Sequence, residues 1–362
     1  MERCLVVEKR RTAATITGVC RASPRASGSR PSGRAIQGAE KKDMVKRASG
    51  GGAVLAVTTY VKFAFAGLHW PPFFDGLLAS LNYAASFVFI QFAGFTVATK
   101  QPAMTAPALA ARMKGLEDPA KMAAFVDEVA NLVRSQSASI FGNVFVVFPV
   151  AYLLGLALAA TLEIPIDAAK AAKTVESLSI LGPSAAFAAF TGVLLWFSSV
   201  LAGWVDNWFA YRRLGPAIAS HRRLVYVFGP SAMQRAGDFL SHGIAGLTAN
   251  VSLGFMLGLV PVALAFYGFP VEVRHVTLSS GQLAAAVVTL GWGVAAAAPF
   301  WLAVAGIAAI GMLNVGVSFV LALQVAIRAR DVERIGQRAV YRAILRRMAR
   351  EPASFLFPKK EA

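Results

Sequence analysis

The feature that most constrains this chain is a series of apolar stretches, each about as long as a bilayer is thick once coiled into a helix. Six stand out, at 53–68, 73–97, 139–160, 180–205, 243–266 and 299–327. An α-helix rises about 1.5 Å per residue, so about 20 apolar residues cross the ~30 Å hydrocarbon core. Lipid offers no partners to free backbone groups, which leaves helices or closed barrels. A barrel needs strands of about ten residues with alternating polarity, whereas these runs are continuous. The third, fifth and sixth are long and nearly free of charge; the first is short and holds Lys62. The expected fold class is therefore all-α, a polytopic transmembrane helix bundle of about six spans. Composition agrees. Hydrophobic residues make up 56% of the 362 and charged residues only 15%, against about 25% charged in soluble domains.

The net charge of +17 would by itself suggest nucleic acid or anionic lipid. Its distribution is more informative. Of the 36 Lys and Arg residues, 32 lie in 1–50, 98–138, 206–242 and 328–362. The alternate connections hold three, Lys170, Lys173 and Arg274. By the positive-inside rule both termini lie in the cytoplasm, as an even number of six crossings requires. The apolar segment 282–294 would make a seventh crossing and put the basic C-terminus outside. At about 13 residues it is too short to span, and it reads as an interfacial or re-entrant helix. Ser279 is its expected N-cap and Gln282 the closing residue of a capping box.

Three regions follow: a basic tail at 1–50, a transmembrane domain at 51–330, and a basic cytoplasmic helix and tail at 331–362. The first has no helical or strand period and reads as disordered. Its Arg-rich, acid-poor composition is shared with transit peptides, and equally fits a tail without structural role or a misassigned start. Cys4 and Cys20 both fall there, so the hydrophobic part can build neither a disulfide nor a cysteine metal site. The histidines are scattered, and no cofactor or metal is called for.

Polar groups within the spans need separate accounts. Lys62 lies near the end of the first span and Asp75 near the start of the second, so the two can pair; Lys62 can also snorkel alone. Asn82, Gln91, Asn143, Asn250, Asn314 and Gln324 fall within spans. Such amides tie helices together at about 0.6 kcal/mol each, or line a solute path where they converge. Small residues at Gly254/Gly258 and Ala305/Ala309 fit close helix packing. Arg338, Arg342, Arg346 and Arg350 form one stripe of a C-terminal helix, suited to anionic lipid headgroups at about 1 kcal/mol per residue. Nucleic acid is the alternative partner, and a homo-oligomer is compatible with the sequence.

Some strings are too particular for generic membrane helices: ATKQPAMTA at 98–106, RHVTLSSGQLA at 274–284, GMLNVGVSF at 311–319, Gly142-Asn143 with Pro149, Tyr211-Arg212-Arg213, and the closing 347–357. Together they resemble a bacterial family labelled "site-specific recombinase", from about Gly51 to Pro358. The resemblance implies a polytopic membrane protein corresponding to the C-terminal half of longer family members. It also implies DNA processing, for which the residues offer little. A tyrosine-type site needs Tyr with Arg and His clamping one phosphate, and a serine-type site needs Ser with an Arg cluster. No HxxR is present, and the Tyr211/Arg212/Arg213 cluster lies against the membrane. Two readings therefore stand: a non-enzymatic membrane protein (transport, channel or assembly) and a membrane-anchored DNA-processing protein. A membrane-embedded enzyme is a third, without a catalytic constellation behind it. The residues most worth testing are Lys62 and Asp75, Lys100 and Gln101 at the cytoplasmic end of the second span, Asn143, Arg212, Arg213, His275, Ser279, Gln282 and Asn314.

Overall fold

A computed structural model describes residues 33–68, 70–96, 118–161, 167–328 and 334–355. The chain divides into two units, 1–40 and 41–362. Among the described residues every regular element is a helix: α1 Gly33–Ala66, α2 Pro72–Phe92, α3 Pro119–Thr161, α4 Ala168–Ser177, α5 Ser184–Tyr211, α6 Leu214–Ala219, α7 Arg222–Phe228, α8 Pro230–Phe266, α9 Val276–Leu290, α10 Ala298–Arg328 and α11 Arg334–Arg350. Lys100 and Gln101 lie outside the described residues.

Five helices, α2, α3, α5, α8 and α10, are long and apolar enough to cross a membrane. They correspond to the second to sixth expected spans, the second ending at Phe92 rather than 97 and the fourth starting at Ser184 rather than 180. Only 17–39% of the residues in their apolar windows are buried within the protein, so most of that apolar surface meets solvent of its own kind. Phe141, Phe145, Leu153, Trp204 and Met312 are among the exposed residues. The fold is an all-α polytopic membrane bundle. The first expected span forms the C-terminal half of α1, which starts at Gly33, within the stretch expected to be tail. It is not among the five.

Aromatic residues gather at both ends of the bundle. Trp70, Phe266, Tyr267, Trp292 and Trp301 are exposed at one end, and Trp208, Tyr211 and Tyr226 at the other. Rings with one wet and one apolar face favour the two membrane–water interfaces.

Helix directions follow from contacts. The α2 and α8 helices are antiparallel, with Gly76 against Val262 and Gly254 against Ala84. Gly254 and Gly258 are the close-approach residues, and a Cβ at Gly258 would run into Ser80 and the Gly76 backbone. Ala305 is exposed, and Gly306 makes the close approach of α10, beneath the Leu178 carbonyl. The α1 and α3 helices are parallel, with Gly52 facing Asn143 and the Tyr60 hydroxyl donating to the Ala151 carbonyl at 2.8 Å. A Cβ at Gly52 would sit 2.6 Å from the Asn143 oxygen, which is why glycine stands there. Parallel too are α5 and α10, with Gly192 against Leu313 and Val317.

The α9 helix fills the centre. Every residue from Val276 to Val287 is buried except Gln282, although the helix has only 15 residues. Its final turns lie beside Gly155 of α3 through Val288, and its start lies beside Gly311 and Asn314 of α10. Asn314 is 16 residues, roughly 24 Å of helix rise, from the beginning of α10. The chain thus leaves α8, dips through 267–275 into the bundle, and returns as α9. Of the two expected settings, interfacial and re-entrant, burial of all but one residue from Val276 to Val287 fits the second.

A second, smaller core joins the N-terminal part of α3 to α11. Phe125, Val129 and Ala130 pack with Val340 and Phe355, and Arg347 bonds Asp127 at 2.6 Å. The Tyr341 hydroxyl is buried there without a hydrogen-bond partner among the described residues, and burial pushes its pKa up. Arg338, Arg342, Arg346 and Arg350 stay exposed.

Candidate functional site at the tip of a re-entrant helix

The expected capping box does not form. His275 is the N-cap residue of α9, and Ser279 and Gln282 are interior to the helix. Tertiary bonds take over the capping. The Asn314 side chain accepts from the Val276 backbone N–H at 3.1 Å and donates to the carbonyls of Arg274 at 2.9 Å and Ala188 at 3.0 Å. The Arg274 N–H donates to the Thr191 hydroxyl at 2.8 Å. Asn314 and Thr191 therefore grip the backbone on both sides of His275 and satisfy groups that a buried helix end would otherwise leave open. The helix also starts earlier than the expected segment 282–294, and it stops at Gly291, whose φ of 76° is open to glycine.

Arg274, counted in sequence as a loop residue, is buried, and its guanidinium pairs with the exposed Glu272. His275 is buried too, its ring 6.0 Å from that of Phe87. Thr277 is wholly buried and its hydroxyl has no partner among the described residues.

Beside this tip lies a small cavity of about 20 Å³, lined by Lys62, Tyr83, Leu257, Val273, His275, Leu278, Ser279 and Gln282. Four of the residues singled out in sequence, Lys62, His275, Ser279 and Gln282, thus come together from α1 and α9. Tyr83 and Ser279 are buried, Lys62 and Gln282 partly so. Among the described residues, the side chains of Lys62, Tyr83, Ser279 and Gln282 make no hydrogen bond or ion pair. That includes the pair expected between Lys62 and Asp75. Asp75 sits instead in the first turn of α2, where a carboxylate suits the positive end of the helix dipole.

The other candidates lie elsewhere. Asn143 is buried and donates to the carbonyls of Ser139 at 3.1 Å and Thr96 at 3.3 Å. Asn82 donates to the Thr58 carbonyl at 2.9 Å, Gln91 donates to Gly243, and Asn250 donates to Gln91. These amides stitch helices together, while Gln324 is exposed. Arg212 ends α5, and Arg213, at φ 50°, is the N-cap of α6. Both are exposed, with Tyr211 beside them. Among the described residues no group of His, Cys, Asp and Glu is placed to hold a metal.

Sequence reasoning passed over Thr191, Arg274 and Tyr83. Arg274 carried a signal: a lone arginine in a connection poor in basic residues, two positions from Glu272. Thr191 and Tyr83 carried none, because each lies on an ordinary apolar helix.

Two of the particular strings are now seen to touch. Asn314, from the string at 311–319, holds Arg274 and Val276, from the string at 274–284. A family model described as site-specific recombinase matches residues 35–358. The chain belongs to the site-specific recombinase family. Comparison with curated proteins and with solved structures gives no match. The match spans the bundle and α11, so the α9 tip and its Asn314 clamp lie within the family's region.

Proposed function

We propose that this member of the family is a non-enzymatic membrane protein that passes a small solute through its helix bundle, with the α9 tip as its site. One observation carries the reading: the cavity in which Lys62, Tyr83, Ser279 and Gln282 meet with no partner among the described residues. An ionisable group within hydrocarbon costs roughly 2.5–3.5 kcal/mol on insertion scales, so one kept facing a cavity calls for a use. A helix end lining a cavity inside a bundle is also how irregular backbone is tolerated at membrane depth.

The recombinase reading draws less support. A nucleophile must reach a scissile phosphate, and Arg274, His275 and Ser279 are buried among helices. The feature that favours a nucleic-acid role is the exposed stripe Arg338, Arg342, Arg346 and Arg350, and anionic lipid headgroups suit that stripe on a membrane-facing helix. We place both termini on the cytoplasmic side of a bacterial inner membrane, because 32 of 36 basic residues fall in alternate segments.

The reading is tested by reconstituting the purified chain in liposomes and measuring the flux of a panel of monovalent ions and small neutral solutes. Flux of at least one, reduced tenfold or more in Lys62→Met and Gln282→Ala, is the expected result. A silent panel, or flux indifferent to both substitutions, removes the reading. Orientation is checked with single cysteines at Lys173, Ser220, Ala296 and Ala353, after removal of Cys4 and Cys20. Labelling of 173 and 296 alone by an impermeant thiol reagent in intact cells is the expected pattern. Ser279 is no use for this, since packing shields it on either side.

A further inference from the structure

The cavity at the α9 tip has chemistry specific enough to name a ligand class. We infer that it binds one small monovalent anion of halide size. The inference rests on the reading of the α9 tip as the functional site and names what that site takes.

The polar lining is rich in donors. Lys62 supplies an ammonium, Gln282 an amide NH₂, and Tyr83 and Ser279 hydroxyls, none of them engaged by another described residue. Among the described residues no Asp or Glu lines the cavity, so a metal cation would meet the Lys62 charge without a carboxylate to offset it. An anion meets the reverse situation. His275, Leu278 and Ser279 place the cavity against the first turn of α9, where the positive end of the helix dipole favours negative charge. The Asn314 clamp occupies the Val276 N–H but leaves the Ser279 hydroxyl free to turn inward.

Size narrows the class. About 20 Å³ holds one group the size of a water molecule, for which about 10–15 Å³ is the minimum. Sulfate and phosphate, with five heavy atoms, exceed it. The remaining walls are the apolar side chains of Leu257, Val273 and Leu278. These favour an anion that sheds its water easily and carries a single charge. Chloride and bromide fit on all three grounds.

The test uses the purified full chain in detergent, where binding is read without any flux. Thermal unfolding is followed in sodium gluconate, then with chloride or bromide replacing gluconate at constant ionic strength. A ligand that binds only the folded state raises Tm in a saturable way. We expect that rise with both halides and none with sulfate. Lys62→Met should abolish it, and Ser279→Ala and Tyr83→Phe should each weaken the apparent affinity about tenfold. A Tm indifferent to halide, as for a cavity holding only water, overturns the inference. So does an undiminished response in Lys62→Met. Should Lys62→Met fail to fold, a full halide response in the Ser279→Ala, Gln282→Leu double variant overturns it instead. Halide binding without solute flux in liposomes sinks the transport reading alone, and flux with a halide-indifferent Tm sinks this inference alone.

Discussion

The two short helices α9 and α11 are of similar length, 15 and 17 residues, yet they are held in opposite ways. The α9 helix carries no charge between Val276 and Leu290 and is surrounded by protein. The α11 helix carries Arg338, Arg342, Arg346, Arg347 and Arg350 and rests one face on α3. The first is fixed at its N-terminal end by an amide from α10. The second is fixed along its side by Phe125, Val129, Val340 and the Arg347–Asp127 pair. A buried helix end has no water to fall back on, so its capping bonds are obligatory. A helix at the surface keeps water as an alternative partner, and its ion pairs are worth about 1 kcal/mol at most.

The largest expected effect therefore comes from breaking the α9 clamp. Replacing Asn314 with Leu strands the Val276 N–H and the Arg274 carbonyl, while the Ala188 carbonyl keeps its bond within α5. At about 1–3 kcal/mol for a stranded buried group, softened by the modest value of single bonds in membranes, the loss should be roughly 2–4 kcal/mol in reversible unfolding in mixed micelles. A loss below about 0.5 kcal/mol would mean that the clamp does not hold the tip. Next comes Gly306→Val, which forces a side chain against the Leu178 carbonyl. Overpacking typically costs 1–3 kcal/mol, and the same unfolding assay reads it. Restored stability in Gly306→Ala would show that the neighbouring backbone yields.

On the other side of the comparison, Arg347→Ala should cost about 1 kcal/mol or less, since Asp127 is 58% exposed. Its signature is local. Limited proteolysis should cut near α11 sooner while the bundle's unfolding midpoint stays put. A matching fall of that midpoint would make α11 part of the cooperative unit. The smallest change in stability, within about 0.5 kcal/mol, belongs to Arg338→Gln with Arg342→Gln. That pair should still weaken binding to vesicles rich in anionic lipid. Unaltered vesicle binding, with weakened and steeply salt-dependent DNA binding, would move the stripe to the nucleic-acid reading.

Most of the architecture could be read from the chain because membrane helices announce themselves by length and composition. Five expected spans correspond to helices, and Gly254 and Gly258 mark a close crossing as their spacing suggests. What the chain hid was tertiary. Ser279 and Gln282 have the spacing of a capping box, yet the start of α9 is decided by Asn314, 38 residues further on, and by Thr191, 83 residues before Arg274. A local rule cannot see partners at that distance. Lys62 and Asp75 are near in sequence and opposite in charge, yet Lys62 turns to the cavity and Asp75 to the positive end of its own helix. Arg274 was assigned to a solvated connection because a segment that dips and returns looks, residue by residue, like a loop followed by a short helix.

The Asn314 clamp also fixes an order of assembly. A segment too short to span cannot establish itself in the bilayer as an independent helix, and the bond that caps the Val276 N–H comes from α10, a helix made after α9. Independently stable spans form first and then associate. On that scheme α9 is the last piece to lock, drawn into a slot that α1, α3 and α10 have already outlined. Until α10 joins the bundle, α9 is an apolar helix whose N-terminal end lacks the Asn314 amide. The interval between membrane entry of α9 and of α10 is then the one in which this buried helix end has yet to meet its partner.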